Sequence, residues 1–160
     1  MSDADAARPW VGEVVVDASL AVKWVLEEDF TAEARMALLD WQTRRIRRVV
    51  PSWFGCEVAN VLYKRMRKNT LTLMEAQTAV EGLLGDVVIR DHEPAVSARA
   101  LAIALQLGRL ASYDSHYVAL AERLSCDLWT ADERFWNASS AAFPFVKWLG
   151  TIALTPSSAT

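Results

Sequence analysis

The chain has 160 residues, 52% of them hydrophobic and 23% charged, a composition that predicts one folded domain with its own core. Its formal net charge of −3 argues against a protein that coats nucleic acid through overall positive charge. No apolar run approaches the roughly 20 residues of a membrane-spanning helix, and the opening MSDADAARPW lacks the basic stretch and apolar segment of a signal peptide.

The first half of the chain alternates short apolar runs with longer helical patterns. The run EVVVD is typical of a strand buried on both faces, yet it ends on a carboxylate, Asp17. Ser52 is a predicted N-cap for one of the helices, and Thr70 or Thr72 for another. The predicted elements are a strand at 13–17, helices at 20–27 and 31–45, a strand at 48–51, and helices at 53–68 and 72–84.

The second half continues this alternation, with two helices and then one helix between its strands. The segment SYDSHYVALAERL places one stripe on a helix, formed by Tyr113, Tyr117, Leu120, Ala121 and Leu124. The predicted elements are a strand at 86–90, helices at 93–107 and 113–124, a strand at 126–130, a helix at 133–138 and a strand at 143–147. Such alternation predicts a three-layer α/β/α sandwich around a central parallel sheet of about five strands.

The ends of the periodic patterns set the expected domain boundaries. We expect an N-terminal extension at 1–11, one domain at 12–150 and a flexible tail at 151–160. Cys56 and Cys126 have no zinc-binding spacing, so we expect two reduced, mostly buried thiols in a cytoplasmic protein.

Four acidic residues are expected at one edge of the sheet, because sites in open parallel sheets form outside the carboxyl ends of the strands. They are Asp17 after the first strand, Glu57 early in the helix after the second, Asp114 in the first turn of the helix before the fourth, and Asp132 after the fourth. Each aspartate also has a structural interpretation: Asp17 can cap the next helix, and Asp114 and Asp132 can be first-turn acids that complement a helix dipole. Glu57 fits that interpretation least well, because it borders a buried stripe and needs a partner.

Converging carboxylates need a source of positive charge. Two of them about 4 Å apart repel by roughly 4 kcal/mol at an effective dielectric near 20, a large part of the stability of a domain. Protons, basic side chains or a metal ion can each neutralise them, and the nearest basic residues in sequence are Lys23, Lys64 and Arg134. Oxygen donors without a Cys or His cluster favour Mg²⁺ or Mn²⁺, and a water bound to such an ion promotes phosphodiester hydrolysis.

The ordered set of motifs resembles the PIN-domain ribonucleases, and in particular the VapC-type toxins of bacterial toxin–antitoxin pairs. VVVDAS, CEVANVL, YDSHYVALAERL and LWTADERF carry the resemblance, which extends over about residues 12–150. It implies an α/β/α fold that cuts single-stranded or structured RNA with Mg²⁺ or Mn²⁺. It also implies an antitoxin partner and a homodimer.

The resemblance assigns roles to particular residues. Asp17, Glu57, Asp114 and Asp132 match the acidic quartet of the family. In that family the first and third acids usually hold the metal directly, and the second and fourth bind it directly or through water. Ser19 and Thr130 match small hydroxyl positions that support the site.

Basic residues are concentrated in two clusters, RRIRR at 44–48 and KRMRK at 64–68, which hold eight of the 17 Lys and Arg. One interpretation makes them solvated helix ends near the negative pole of each helix dipole. The other makes them an RNA-binding rim, since RNA that delivers a phosphate to the acids needs cations along its flanks. The predicted rim consists of Arg44, Arg45, Lys64, Arg65 and Lys68.

Seven tryptophans are many for this length, and most of them are expected in the core. The early helices have a second interpretation, an exposed groove that binds an amphipathic helix of the antitoxin. The predicted groove consists of Trp24, Leu38, Leu39 and Trp41. A dimer face and plain core remain open as alternatives.

Other chemistries have less support. His116 is rotated by about 200° from Asp114 on a helix, so it is expected to face outward, and His92 is expected at the surface. A Ser-His-Asp triad has no support in the sequence. An aspartyl phosphatase usually has a second Asp two residues after the first, where Ser19 stands here. The remaining alternative is a PIN scaffold that acts mainly by binding a protein partner.

Overall fold

The computed structural model describes residues 9–90, 93–108 and 113–153. Within these ranges five strands alternate with seven α-helices. The strands are β1 (Gly12–Val16), β2 (Ile46–Pro51), β3 (Val88–Arg90), β4 (Leu128–Thr130) and β5 (Val146–Trp148). The helices are α1 (Ala18–Ala21), α2 (Thr31–Thr43), α3 (Phe54–Arg67), α4 (Leu73–Gly85), α5 (Pro94–Gln106), α6 (Tyr113–Leu124) and α7 (Glu133–Ser139).

The five strands are all parallel and lie in the order β3-β2-β1-β4-β5. The chain builds outward from β1 to β3 on one side and then returns to add β4 and β5 on the other. The neighbours β1 and β4 therefore form a topological switch point, where the sheet opens a crevice at its carboxyl ends. This arrangement confirms the predicted three-layer sandwich around a five-stranded parallel sheet.

Two apolar cores cover the two faces of the sheet. Val14 and Val16 of β1 point into the first core and Val15 points into the second, as the alternation of a strand requires. The first core is completed by residues of α1 to α4, and the second by residues of α5 to α7. The valine run that precedes Asp17 is therefore buried on both faces, as predicted.

The predicted helix at 20–27 is shorter than expected. It consists of the one-turn helix α1 followed by a 3₁₀ turn at Val22–Trp24. The Asp17 side chain caps α1 by accepting the Leu20 N–H at 2.9 Å. The N–H groups of Val25 and Leu26 then both return to the Val22 carbonyl, which ends the helical segment.

The structure confirms Thr72 as an N-cap and shows that the prediction for Ser52 was wrong. At the start of α4 the Thr72 hydroxyl accepts the Glu75 N–H, and the Glu75 carboxylate accepts the Thr72 N–H, which completes a capping box. Trp53 occupies the N-cap position of α3 without a side-chain hydrogen bond. Ser52 therefore lies one residue too early to cap that helix.

The groove predicted on the early helices is contradicted by the burial of its tryptophans. Trp24 and Trp41 are 8% and 5% exposed and pack in the first core. The Trp24 Nε1–H donates to the Ala34 carbonyl at 3.2 Å. Leu38 also packs against this core, whereas Leu39 is 63% exposed. The prediction failed because helical spacing assigns an aromatic residue to a face without showing whether another layer covers that face.

Both cysteines are free thiols, but only Cys126 is partly buried, and Cys56 is exposed. This corrects the prediction that both are mostly buried. Cys56 lies two residues after the fully buried Phe54 on α3, about 200° around the helix, so the burial of Phe54 turns Cys56 toward solvent.

The ends of the described chain pack onto the domain. The Arg45 guanidinium lies 5.5 Å from the centre of the Trp10 ring, and Ile152 packs against the first core. The rest of the predicted extension, residues 1–8, and of the predicted tail, residues 154–160, lies outside the described residues. Among the described helices, none is long and apolar enough to cross a membrane.

Thr72→Ala removes the hydroxyl of the capping box, so we expect the free energy of unfolding to fall by about 1 kcal/mol in urea denaturation. Ser52→Ala is the matched control, because Ser52 is an exposed hydroxyl residue that does not cap α3. We expect that control to change the free energy of unfolding by less than about 0.5 kcal/mol. Equal losses in the two variants would contradict the assignment of the cap.

Candidate active site

The four predicted acids line one cavity of about 450 Å³ at the carboxyl edge of the sheet. It lies at the switch point, where β1 delivers Asp17 and β4 delivers Asp132. Glu57 reaches it from α3 and Asp114 from α6, so both helical layers contribute a carboxylate. The other lining residues are Ala18, Ser19, Asn60, Val61, Lys64, Tyr117 and Phe135.

The Asp17 carboxylate is buried, with 9% of the residue exposed, and is held by three uncharged donors. Its Oδ1 accepts the Ser19 hydroxyl at 2.8 Å and the Leu20 N–H at 2.9 Å, and its Oδ2 accepts the Thr130 hydroxyl at 2.5 Å. Burial raises the pKa of Asp17 to about 6, although these hydrogen bonds oppose the change and the charge of Asp114 adds to it. The site therefore carries a carboxylate whose charge the fold itself stabilises poorly.

Ser19 and Thr130 tie the ends of β1 and β4 together. The Thr130 hydroxyl accepts the Asp132 N–H at 2.9 Å while it donates to Asp17. The Ser19 hydroxyl likewise accepts the Ala131 N–H at 3.0 Å while it donates to Asp17. Both hydroxyl groups thus orient the Asp17 carboxylate and fix the segment that leads to Asp132.

Asp132 combines its place in the cavity with a structural role. Its Oδ1 accepts the Phe135 N–H at 3.0 Å and so caps α7. Asp132 is therefore the N-cap of α7 rather than the first-turn acid that was expected, and the cap holds the carboxylate at the cavity wall.

Glu57 and Tyr117 meet across the cavity. The Tyr117 hydroxyl donates a hydrogen bond to Oε2 of Glu57. Burial raises the pKa of Glu57, the Tyr117 bond lowers it, and the charge of Asp114 raises it. The pKa of Tyr117 is raised far above its usual range, mainly by burial and then by the nearby charge of Glu57. The phenol therefore stays protonated and acts as a hydrogen-bond donor.

No described cation pairs with Asp17, Glu57 or Asp132. The Lys23 ammonium instead contacts Glu28 at 3.1 Å, and Arg65 also pairs with Glu28. Lys64 lines the cavity with its exposed side chain. The described part of the chain thus brings these three acids to one cavity without a described arginine or lysine bound to them.

The donors at the cavity are those that a hard divalent cation prefers, since they are carboxylates and hydroxyls. As the side chains stand, no group of three or more His, Cys, Asp or Glu in the described residues is arranged to hold a metal ion.

The predicted basic rim is divided by the structure. Arg44 and Arg45 directly precede β2 at the amino edge of the sheet, opposite the acids, where Arg44 pairs with Asp40 at 3.1 Å. Of the second cluster, Lys64 lines the cavity, and Lys68 is the exposed C-cap residue of α3. Only this second cluster lies on an element that reaches the acidic cavity.

Tyr117 is a site residue that sequence reasoning missed. Its apolar spacing placed it on a buried stripe, and it is indeed only 2% exposed. The available signal was a phenol three residues after Asp114, on the same face of α6, because a buried tyrosine hydroxyl needs a partner. His116 was expected to face outward, but it is half-buried and packs against Trp53 with 4.8 Å between ring centres. It is not among the residues that line the acidic cavity. His92 lies outside the described residues.

One protein-family profile matches a segment of the chain that contains the whole candidate site. The profile of the family described as PIN domain matches residues 14–140, which include all four acids. Among curated proteins no sequence match was found.

Solved structures supply similar folds at low sequence identity. A protein from Pyrobaculum aerophilum is 20% identical with a TM-score of 0.60, covering 79% of this chain and 78% of that one. A toxin–antitoxin complex from Klebsiella pneumoniae is 17% identical with a TM-score of 0.61, covering 85% and 97%. A sarcin–ricin loop cleaving VapC toxin of Mycobacterium tuberculosis is 14% identical with a TM-score of 0.61, covering 79% and 95%. At these identities the likeness shows the fold.

The raised pKa of Asp17 gives a test in metal-free protein. A carboxyl whose pKa is higher in the folded than in the unfolded state contributes stability below pH 3.8, and this is lost as pH rises through about 6. Asp17→Asn removes the charge and keeps an N-cap side chain, so we expect it to unfold at higher temperature than wild type at pH 7.5 in chelator. The gain corresponds to about 3 kcal/mol at most and shrinks toward pH 4.

The control for this experiment is Asp29→Asn, the same change at an exposed position. We expect that variant to follow the wild type at every pH in thermal melts. An Asp17→Asn variant that is less stable than wild type at pH 7.5, or whose advantage grows toward pH 4, would contradict the assignment.

Proposed function

Because the chain belongs to the PIN domain family, we propose that it is a metal-dependent endoribonuclease and the toxin of a toxin–antitoxin pair. The observation that carries the proposal is the set of four carboxylates around one cavity, with Asp17 buried and hydrogen-bonded by uncharged groups. Such a site requires a cation before it can receive the phosphate of a nucleic acid. We place the activity in the cytoplasm, where free thiols such as Cys56 and Cys126 stay reduced.

The cavity fits Mg²⁺ or Mn²⁺ by the chemistry of its donors. Mg²⁺ is commonly held by one or two carboxylates and keeps several waters, so a cluster of three direct carboxylate ligands is not required. Asp17 and Asp114 would hold the ion directly, and Glu57 and Asp132 directly or through water. Bound there, a divalent ion supplies charge neutralisation and a water activated for attack on a phosphodiester.

The chain's own residues orient these donors before any ligand arrives. Ser19 and Thr130 fix the Asp17 carboxylate from the two central strands. The cap on α7 fixes Asp132. Ligand carboxylates that are themselves hydrogen-bonded hold their geometry, and such supporting partners affect metal affinity and activity.

The proposed RNA contacts lie on α3. Lys64 is seven residues after Glu57, about 10.5 Å along the helix, and so is placed to contact a phosphate beside the scissile one. Lys68 lies one further turn along the same face. We do not retain Arg44 and Arg45, which lie at the opposite edge of the sheet, and the Arg65 guanidinium is already bound by Glu28.

We also propose a protein antitoxin as partner and a homodimer as the state of the free chain. The fold shared with a solved toxin–antitoxin complex of Klebsiella pneumoniae supports the first of these. The burial of Trp24 and Trp41 removes the anchors of the predicted groove, so we do not place the antitoxin on α2.

The nuclease proposal is tested with purified protein and single-stranded RNA. We expect cleavage with Mg²⁺ or Mn²⁺ that stops in EDTA, and a loss of at least about 100-fold in kcat for Asp114→Asn, since a metal contact is worth several kcal/mol. Asp127→Asn is the control, because Asp127 lies at the amino edge and lines a different cavity. Cleavage that persists in EDTA or in Asp114→Asn would point to a contaminating nuclease or to a PIN scaffold that acts only by binding.

The proposed role of Lys64 predicts a change in salt dependence. Removing one phosphate contact with Lys64→Gln is expected to reduce the slope of log K against log salt by about 0.7 for single-stranded RNA. Binding is measured by fluorescence anisotropy on the Asp114→Asn protein, which prevents cleavage. Lys147→Gln, on β5, is the control and should keep the wild-type slope. An unchanged slope for Lys64→Gln would remove Lys64 from the RNA path.

A further inference from the structure

The Tyr117 hydroxyl connects the two helical layers at the candidate active site. Tyr117 lies on α6 and packs in the second core, whereas α3 packs Phe54 and Val58 in the first core. From α6 the hydroxyl donates to Oε2 of Glu57 on α3, 60 residues away in sequence. The bond therefore passes over the carboxyl ends of the strands, where the cavity opens.

The ring that carries this hydroxyl has little freedom to move. Tyr117 is 2% exposed, and the Trp53 ring meets it edge-on with 6.4 Å between centroids. Trp53 also packs edge-on against His116, whose Nε2 lies 3.1 Å from the Ser97 hydroxyl on α5. Close packing of this kind leaves a buried ring few alternative rotamers, so the hydroxyl is held at the cavity wall.

The Tyr117 hydroxyl orders the side chain of Glu57. Glu57 is half-buried in the first turn of α3, and among the described residues the bond to Tyr117 is the only hydrogen bond of its carboxylate. A glutamate side chain loses rotamer freedom when it is ordered. A donor that orders it in advance removes this loss from the binding of a ligand. Asp114 lies one turn before Tyr117 on the same face of α6.

We propose that Tyr117 is a positioning residue of the metal site. Its hydroxyl holds Oε2 of Glu57, leaves Oε1 for the ion or for its bound water, and so sets the separation between Glu57 and Asp114. This inference rests on the proposed function, because it assigns Glu57 a part in binding the ion. The competing explanation is that Glu57 merely satisfies a buried phenol, in which case the bond matters only for folding.

A double-mutant cycle on the full chain separates the two explanations. Mn²⁺ binding is measured by isothermal titration calorimetry for wild type, Tyr117→Phe, Glu57→Gln and the double variant. We expect Tyr117→Phe to weaken Mn²⁺ binding by about 10-fold, the lower end for a residue that supports a metal ligand. In the Glu57→Gln background the same change is expected to have no further effect. Tyr63→Phe, at a 56% exposed tyrosine of α3, is the matched control and should bind as wild type does.

A second variant breaks the same bond without changing the core. Glu57→Asp shortens the acid by one methylene and withdraws it from the Tyr117 hydroxyl. We expect weaker Mn²⁺ binding that Tyr117→Phe does not weaken further. Thermal melts of every variant in chelator identify losses of affinity that come from unfolding.

The outcomes distinguish this inference from the proposed function. Wild-type Mn²⁺ affinity in folded Tyr117→Phe, or an equal loss in the Glu57→Gln background, overturns the positioning role and leaves the nuclease proposal intact. Normal Mn²⁺ binding by a wild type that cuts no RNA overturns the nuclease proposal and leaves the positioning role standing. A wild type that binds no Mn²⁺ overturns both.

Discussion

A buried carboxylate at the end of the central strand is the constraint on which the candidate site depends. Asp17 follows three valines that are buried on both faces of the sheet, so it cannot turn to solvent without disturbing β1. Its three hydrogen-bond donors come from α1 and β4 and are uncharged, which stabilises a carboxylate less than a guanidinium does. The buried carboxylate therefore makes the folded state less stable. Such losses of stability are common at functional sites, where activity needs groups that folding alone does not favour.

The two-core architecture explains why the remaining acids gather around Asp17. Side chains of the two helical layers are separated by the sheet everywhere except beyond the ends of its strands. At the carboxyl ends the switch point between β1 and β4 leaves a crevice, and α3 and α6 approach it from opposite faces. Glu57 and Asp114 can therefore share a cavity although their helices pack in different cores. The Tyr117 hydroxyl spans this gap by its hydrogen bond to Glu57.

Much of this arrangement could be predicted from the sequence, because strand and helix periodicity identify the elements and parallel topology brings the residues after each strand to one edge. That reasoning brought Asp17 and Asp132 together before any contact was known. It failed where the answer depended on packing between layers. The spacing of Trp24 and Trp41 is the same whether their face is exposed or covered by another layer. Only the folded structure shows that both residues are covered and lie in the first core. The role of Tyr117 was missed for the same reason. Its spacing is that of a core residue, and its hydrogen-bond partner Glu57 is 60 residues away in sequence.

The two edges of the sheet differ in whether their acids form salt bridges with arginines, and this difference matters more than the size of the cavity at each edge. A larger cavity of about 990 Å³ opens at the amino edge, and Glu13, Asp40 and Arg44 line it. There Glu13 accepts from Arg47 at 3.0 Å and from Arg90 at 2.6 Å, and Arg44 binds Asp40. Acids bound by arginines have their charge satisfied within the fold. At the carboxyl edge no described arginine or lysine binds Asp17, Glu57 or Asp132, and this difference makes the smaller cavity the candidate for chemistry.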